Sequence, residues 1–277
     1  MSPRIAIRQG VGITAGILQQ QELEFKRLFI ESPVLIFVEQ GVKALRWSGG
    51  EYLIRPGEAV AIAGGQPVDI TNRLAADGRY RARWLVWDTG LIAAHGEVHH
   101  QLPIIRHALP ITTGSAQFSG AFQAALQAVE DSSIPLEIAR HRVSEVLLWL
   151  GMNGGRFAPD EVPSLSTRIR RLIGRGLDQV WSAQRVASEL AMSEATLRRK
   201  LMREATTLTE ILLDARMSMA LKLLQSTEKP VSQVAQYVGY QTASQFAVRF
   251  RQRFGFTPTA IRVGAHPKAP INIRCSE

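Results

Sequence analysis

Residues 186–190 read Val-Ala-Ser-Glu-Leu and residues 234–238 read Val-Ala-Gln-Tyr-Val, an echo at a spacing of 48. The stretch after each copy repeats as well, with Leu197 and Leu201 answered by Phe246 and Phe250 at a spacing of 49. A chain that carries one supersecondary unit twice must fold that unit twice, so the duplication limits the second half of this chain more than any other feature. In each copy a short apolar-faced helix (Val186, Ala187, Leu190; Val234, Ala235, Val238) runs into a tight turn, Met192-Ser193 or Gly239-Tyr240. A second helix follows, with its apolar side chains four apart, and this is the helix-turn-helix arrangement. Ser193 is placed to cap the second helix of the first copy, and Thr242 or Gln241 that of the second. The stripe of Leu197 and Leu201, like that of Phe246, Phe250 and Phe254, fixes the buried face. Ala195, Arg198, Arg199 and Arg203 then point outward from one helix, and Thr242, Gln245, Arg249 and Gln252 from the other. Gly255 just past the last apolar position and Thr257-Pro258 after it mark the stop and a new short helix.

Between the copies, Thr209 to Gln225 reads as one amphipathic helix carrying Ile211, Leu212, Ala215, Met219, Leu223 and Leu224. A helix of about 17 residues spans roughly 25 Å, and successive major grooves are roughly 34 Å apart. With the flanking helices added, the two reading helices reach the right scale for one duplex. Charge points to the same partner. Residues 1–163 carry 15 Lys and Arg against 16 Asp and Glu, whereas residues 164–264 carry 16 against 7. Nearly all of the net +9 therefore sits in one block, as expected where that block meets an anionic polymer. Those cations supply phosphate contacts and salt dependence, and the few groove-facing side chains supply sequence preference.

The first half has a different period. From Ile5 to about Asp88, short apolar runs alternate with turn residues in the manner of an antiparallel β sandwich or barrel. Pro33 to Val38 is a buried strand, and Val42 to Trp47, Tyr52 to Ile54, Ala59 to Ala63 and Arg79 to Asp88 are further strands. Arg46, Arg81 and Arg83 are candidates to meet an anion, although strand charges usually face solvent. Beyond Ser115 the period becomes helical: Phe118, Phe122, Leu126 and Val129, and then, after Pro135, Leu136, Ala139, Val143, Val146, Leu147 and Leu150. These stripes pack on the strands, or the second one forms a dimer seam through Leu136, Val143, Val146, Leu147 and Leu150. Residues 151–163, rich in Gly and Pro, read as the domain boundary.

Cys275 is the only cysteine, which excludes an intrachain disulfide and a cysteine metal site and fits a reducing cytoplasm. No leader and no apolar run of spanning length is legible, so the expectation is neither secretion nor membrane insertion. His99-His100 is read as a loop pair, since adjacent positions do not face one another.

On the residues quoted above, together with Thr196, Arg216, Ala220, Ser244 and Arg262, the segment Val186 to Arg262 resembles the DNA-binding domain of the AraC/XylS family of transcriptional regulators. The segment from Arg55 to Ile70 more weakly resembles the second half of a cupin motif. Metal-binding cupins cluster histidines with a carboxylate, whereas His95, His99, His100, His107, His141 and His266 all lie beyond the expected strands. No metal, cofactor or catalytic residue is therefore expected. The resemblance implies an α+β chain of two domains. A cupin-like sensor barrel (1–110) and a helical dimerisation segment (111–155) lead through a linker (156–164) to an all-α double helix-turn-helix domain (165–264), with a tail at 265–277. It implies groove-facing Ala195, Arg198 and Arg199, then Thr242, Ala243, Ser244, Gln245 and Val248, with guanine as the target of Arg198 and Arg199 and adenine that of Gln245. It also implies promoter DNA and RNA polymerase as partners, a homodimer, transcription activation, and control by a small effector or a regulatory protein. The sequence departs from the family pattern at Ala205, where glycine is usual, at Val248, where arginine is usual and Arg249 stands one place on, and at Ile261, where an aromatic is usual. The alternative is a DNA-associated cupin or repair-type enzyme that borrows the same DNA-binding module.

Overall fold

The computed structural model describes residues 5–47, 49–111, 116–158, 164–204 and 206–263. Ala205, the middle of the expected linker and the tail with Cys275 and His266 lie outside them. The chain begins with β1 (Ala6–Arg8), β2 (Gly12–Gln19), β3 (Leu23–Ile30), β4 (Val34–Gln40), β5 (Val42–Trp47), β6 (Gly50–Ile54), β7 (Ala59–Ile62), β8 (Gln66–Arg73) and β9 (Tyr80–Trp87). Helix α1 (Thr89–Val98), β10 (Ala108–Ile111), α2 (Ala116–Glu130) and α3 (Leu136–Met152) complete this half. The strands form two antiparallel sheets, a six-stranded one in the order β1-β2-β9-β4-β7-β10 and a four-stranded one in the order β3-β8-β5-β6.

Alternation along the strands builds two cores. Ile36, Val38, Val60, Ile62 and Ala82 face the second sheet, while Leu35, Phe37, Ala59, Ala61, Leu85 and Trp87 turn the other way and meet α2 and α3. Phe122 stacks on Phe37 at 5.4 Å, and Trp87 Nε1 donates to the Val143 carbonyl at 2.7 Å. Arg8 on β1 closes the α2–α3 corner by donating to the carbonyls of Ala128, in the last turn of α2, and of Asp131 and Ile134 in the connection to α3.

Two expectations change here. Val143, Val146, Leu147 and Leu150 are 0–1% exposed inside the chain's own core, so they are not a seam open to a partner. Helical periodicity shows which face is buried but not whose surface covers it. The outward apolar side chains of α3 are Leu136, Ile138, Leu148 and Met152. Arg156 and Phe157, expected in the linker, belong to the first half: Ile105 N donates to the Arg156 carbonyl at 2.9 Å, and Phe157 is 2% exposed against Trp87.

The second half is helical: α4 (Leu165–Ile173), α5 (Ala183–Glu189), α6 (Glu194–Arg203), α7 (Leu208–Ser226), α8 (Val231–Tyr237), α9 (Ala243–Phe254) and α10 (Pro258–Val263). Its core is continuous with the interior of the sandwich. Phe25 on β3 meets Phe254 and Phe256 edge to face, at 6.1 and 5.7 Å, and Arg170 lies over the Phe29 ring at 3.8 Å. Among the described residues no helix is long and apolar enough to cross a membrane.

Candidate nucleic-acid interface

Each helix pair is held by the same local chemistry. Met192 N donates to the Ala187 carbonyl at 2.9 Å, and Tyr240 N donates to the Ala235 carbonyl at 2.9 Å, which closes the two turns identically. The turn residue is left-handed in both, Gly239 at φ +82° and Ala191 at φ +51°. The structural counterpart of Gly239 is therefore Ala191 and not Met192, and the second turn holds one extra residue before its cap. An alanine in that region carries strain. Ala191→Gly is expected to raise stability by about 0.5–1 kcal/mol in chemical denaturation with the fold unchanged.

After each turn the second helix is capped as the side chains suggest. Ser193 Oγ accepts from Thr196 N, and Thr242 Oγ1 accepts from Gln245 N, both at 3.2 Å. Between the pairs, Thr207 and Glu210 form a reciprocal capping box at the start of α7. Gly255, at φ +82°, ends α9 with its N–H on the Arg251 carbonyl. Leu197, Leu201, Phe246 and Phe250 are 0–3% exposed, so the opposite faces of α6 and α9 are fixed outward.

On α6, Ala195, Arg198, Arg199 and Arg203 are all exposed, and Arg198 pairs with Glu194 at 3.7 Å. On α9, Thr242, Ser244, Gln245, Val248 and Arg249 are exposed and Ala243 is half-buried. Arg249 donates to Gln252 at 3.3 Å. Val248 and Met202, 54% and 78% exposed, put apolar surface among these polar side chains. Such groups are suited to the methyl of thymine.

Not every cation of the block is available to phosphate. Arg216 is committed to the carbonyls of Leu177 and Gln179 and lies over Tyr240. Arg170 and Arg253 converge on Asp214 of α7 at 3.3 and 3.0 Å, and all three side chains are largely buried. Burial lowers the Arg170 pKa while Asp214 opposes the shift. Arg253, in the last turn of α9, also donates to the main-chain carbonyls of Lys26 and Arg27 in β3. Those carbonyls lie where β3 shifts register against β8 between Phe25 and Leu28, with Arg27 at φ +50°. One end of α9 is thus tied to an irregular strand of the sandwich, a link that charge counting does not reveal.

Beside this link, α7 crosses the sandwich and leaves a crevice of about 120 Å³ lined by Ile17, Leu28, Trp84, Ser218, Leu221 and Lys222. The candidate anion-binding arginines lie elsewhere: Arg46 pairs with Glu51 at 3.4 Å, and Arg83 pairs with Glu130. On α1 the rings of His95 and His99, one turn apart, are 4.4 Å from each other, a pairing hidden by the more visible His99-His100. Burial, then the neighbouring His99 and Arg156, lowers the His95 pKa to about 4.

Residues 186–263 match the family model described as "Helix-turn-helix domain". The chain is 36% identical over 97 residues to the HTH-type transcriptional regulator GadX of Escherichia coli K12, covering 35% of this chain and 35% of GadX. It is 41% identical over 91 residues to the transcriptional regulator SirC of Salmonella typhimurium, covering 33% and 31%. The chain thus spans about a third of the length of these relatives. Over almost its whole length it shares a fold with a single-substitution variant of apo ToxT from Vibrio cholerae, at a TM-score of 0.72 and 13% identity, covering 94% of this chain and 100% of ToxT. Wild-type ToxT with bound unsaturated fatty acid superimposes at a TM-score of 0.67, with 13% identity and coverage of 91% and 95%. The duplicated turns, the capped second helices and the matched family model lead to one identification: residues 186–263 are a helix-turn-helix domain of the AraC type.

Proposed function

We propose that this protein is a sequence-specific regulator of transcription that sets α6 and α9 into successive major grooves of promoter DNA. The observation that carries this reading is the pair of capped helices whose apolar stripes are fully buried, so that Arg198, Arg199 and Gln245 face outward from a basic domain. Arg198 and Arg199 are assigned to guanine and Gln245 to adenine. Cytoplasmic promoter DNA and RNA polymerase are the proposed partners, and activation is the proposed direction. Selection of binding sites from random duplexes, followed by titration of the selected site, tests the assignment. Arg199→Ala should weaken binding by about 1–3 kcal/mol and relax preference at one base position. Unchanged affinity and discrimination would remove Arg199 from the readout.

The cupin-like reading of the sandwich makes it the control domain. Support comes from the crevice against α7, whose apolar walls and Lys222 suit a carboxylic acid with an aliphatic tail, and from the fatty acid carried by the similarly folded ToxT. Dimerisation is proposed through α3, where Ile138, Leu148 and Met152 share one outward stripe in place of the buried set.

A further inference from the structure

The interior of the sandwich holds four polar side chains where an apolar layer is expected. Gln19 is the last residue of β2, Tyr80 the first of β9, Lys43 the second of β5 and Asn72 the last but one of β8. All four are 0–5% exposed. Strand register puts Gln19 opposite Tyr80 in one sheet and Lys43 opposite Asn72 in the other. Hydrogen bonds join the sheets: Lys43 Nζ donates to Asn72 Oδ1 at 2.7 Å, and Asn72 Nδ2 donates to Gln19 Oε1 at 3.0 Å.

Direction along this chain is forced. An ammonium only donates, so the Asn72 oxygen receives it, the Asn72 amide then donates onward, and the Gln19 oxygen accepts, which leaves the Gln19 amide as the end of the chain. What remains is a set of donors. Gln19 Nε2 and Tyr80 Oη are buried with no hydrogen-bond partner among the described residues, and Lys43 Nζ lies 5.3 Å from the centre of the Tyr80 ring. The groups that Lys43 meets are thus a neutral amide and a neutral ring rather than a carboxylate. A buried ammonium without a counter-charge is costly, and burial lowers the Lys43 pKa to about 7. A polar core meant only to hold the sheets together would close on itself, whereas this one ends in an amide and a phenol without partners and in an ammonium without a counter-charge.

We propose that Lys43, Gln19 and Tyr80 form a binding site for a small carboxylate of about the size of formate or acetate. Such a ligand accepts hydrogen bonds without donating and brings the missing negative charge. Entry is short, because the four residues lie at strand ends directly beneath the turns at 20–22, at Gly41 and at 74–79. None of the four residues lines the crevice against α7, whose nearest wall on β2 is Ile17, two positions and roughly 7 Å from Gln19. It does not depend on the DNA-binding assignment.

The test is thermal unfolding of the full-length protein at pH 6, with sodium acetate titrated against sodium chloride at equal ionic strength. A saturable rise in midpoint with acetate and not with chloride is expected, reaching a roughly hundred-fold shift in the folding equilibrium at a hundred times the dissociation constant. Tyr80→Phe keeps the ring and removes only the hydroxyl. It should weaken acetate binding several-fold while leaving the midpoint in chloride nearly unchanged, and Lys43→Met should abolish the acetate response. An acetate response equal to that of chloride, or one undiminished in Tyr80→Phe, overturns the site even if Lys43→Met fails to fold.

Discussion

Gly239→Ala is expected to collapse the second helix pair, with a loss of roughly 3 kcal/mol or more in denaturant unfolding and no measurable binding to the selected DNA site. Two costs add. A left-handed alanine costs about 1 kcal/mol, and the new Cβ would stand 2.5 Å from the Leu177 carbonyl oxygen and 2.7 Å from Arg216 Nη2. Neither neighbour can retreat cheaply, because Arg216 is itself bonded to the carbonyls of Leu177 and Gln179. Gly255 supplies the control. It has the same φ of +82° but no atom within 4 Å of a built Cβ, so Gly255→Ala should cost only the backbone term of about 1 kcal/mol. Equal losses in the two variants would show that the close packing at Gly239 contributes nothing.

Arg253→Met should rank next. Asp214 would keep Arg170 alone, and the carbonyls of Lys26 and Arg27 would lose their donor. Breaking a buried, hydrogen-bonded charge network of this kind costs about 3 kcal/mol. The same variant removes the hydrogen bonds from the end of α9 to the β3 bulge while leaving the Phe25 contacts, so its DNA affinity should respond less to an acid that occupies the crevice, since Leu28 of that crevice stands next to the bulge that Arg253 holds. Unfolding curves give the first outcome, and DNA titrations with and without octanoate give the second. Wild-type coupling that persists in Arg253→Met would assign communication between the domains to another contact.

The parts legible in the sequence were those governed by local periodicity and local caps. The Phe246, Phe250 and Phe254 stripe, the Ser193 and Thr242 caps, the Gly255 stop and most strand positions all follow from rules that act over a few residues. Illegible parts depended on a distant partner. Arg249 and Arg253 sit one turn apart on α9 and look equivalent as sequence, yet one faces outward and the other is held by Asp214 and the main chain of β3. The period of α3 shows an apolar stripe, but that stripe meets the chain's own sandwich. Lys43 falls on an inward position of a strand, where a charged side chain is ordinarily turned outward, and only the register with Asn72 reveals its surroundings. The one-residue difference between the two turns was hidden because Ala191, a residue not suspected of left-handed geometry, occupies the place of Gly239.

The contact between β3 and α9 also sets an order of events during synthesis. β3 is an edge strand of its sheet, and Phe25 and Phe29 on it are covered by residues from the second half. On the ribosome the sandwich can form before residues 165–263 emerge, which leaves that edge and those rings bare for several seconds at ordinary elongation rates. An uncovered edge strand is a template for pairing with another chain. The helical half therefore covers that edge only once it has itself been made, and expressing residues 1–158 alone leaves the edge uncovered for good.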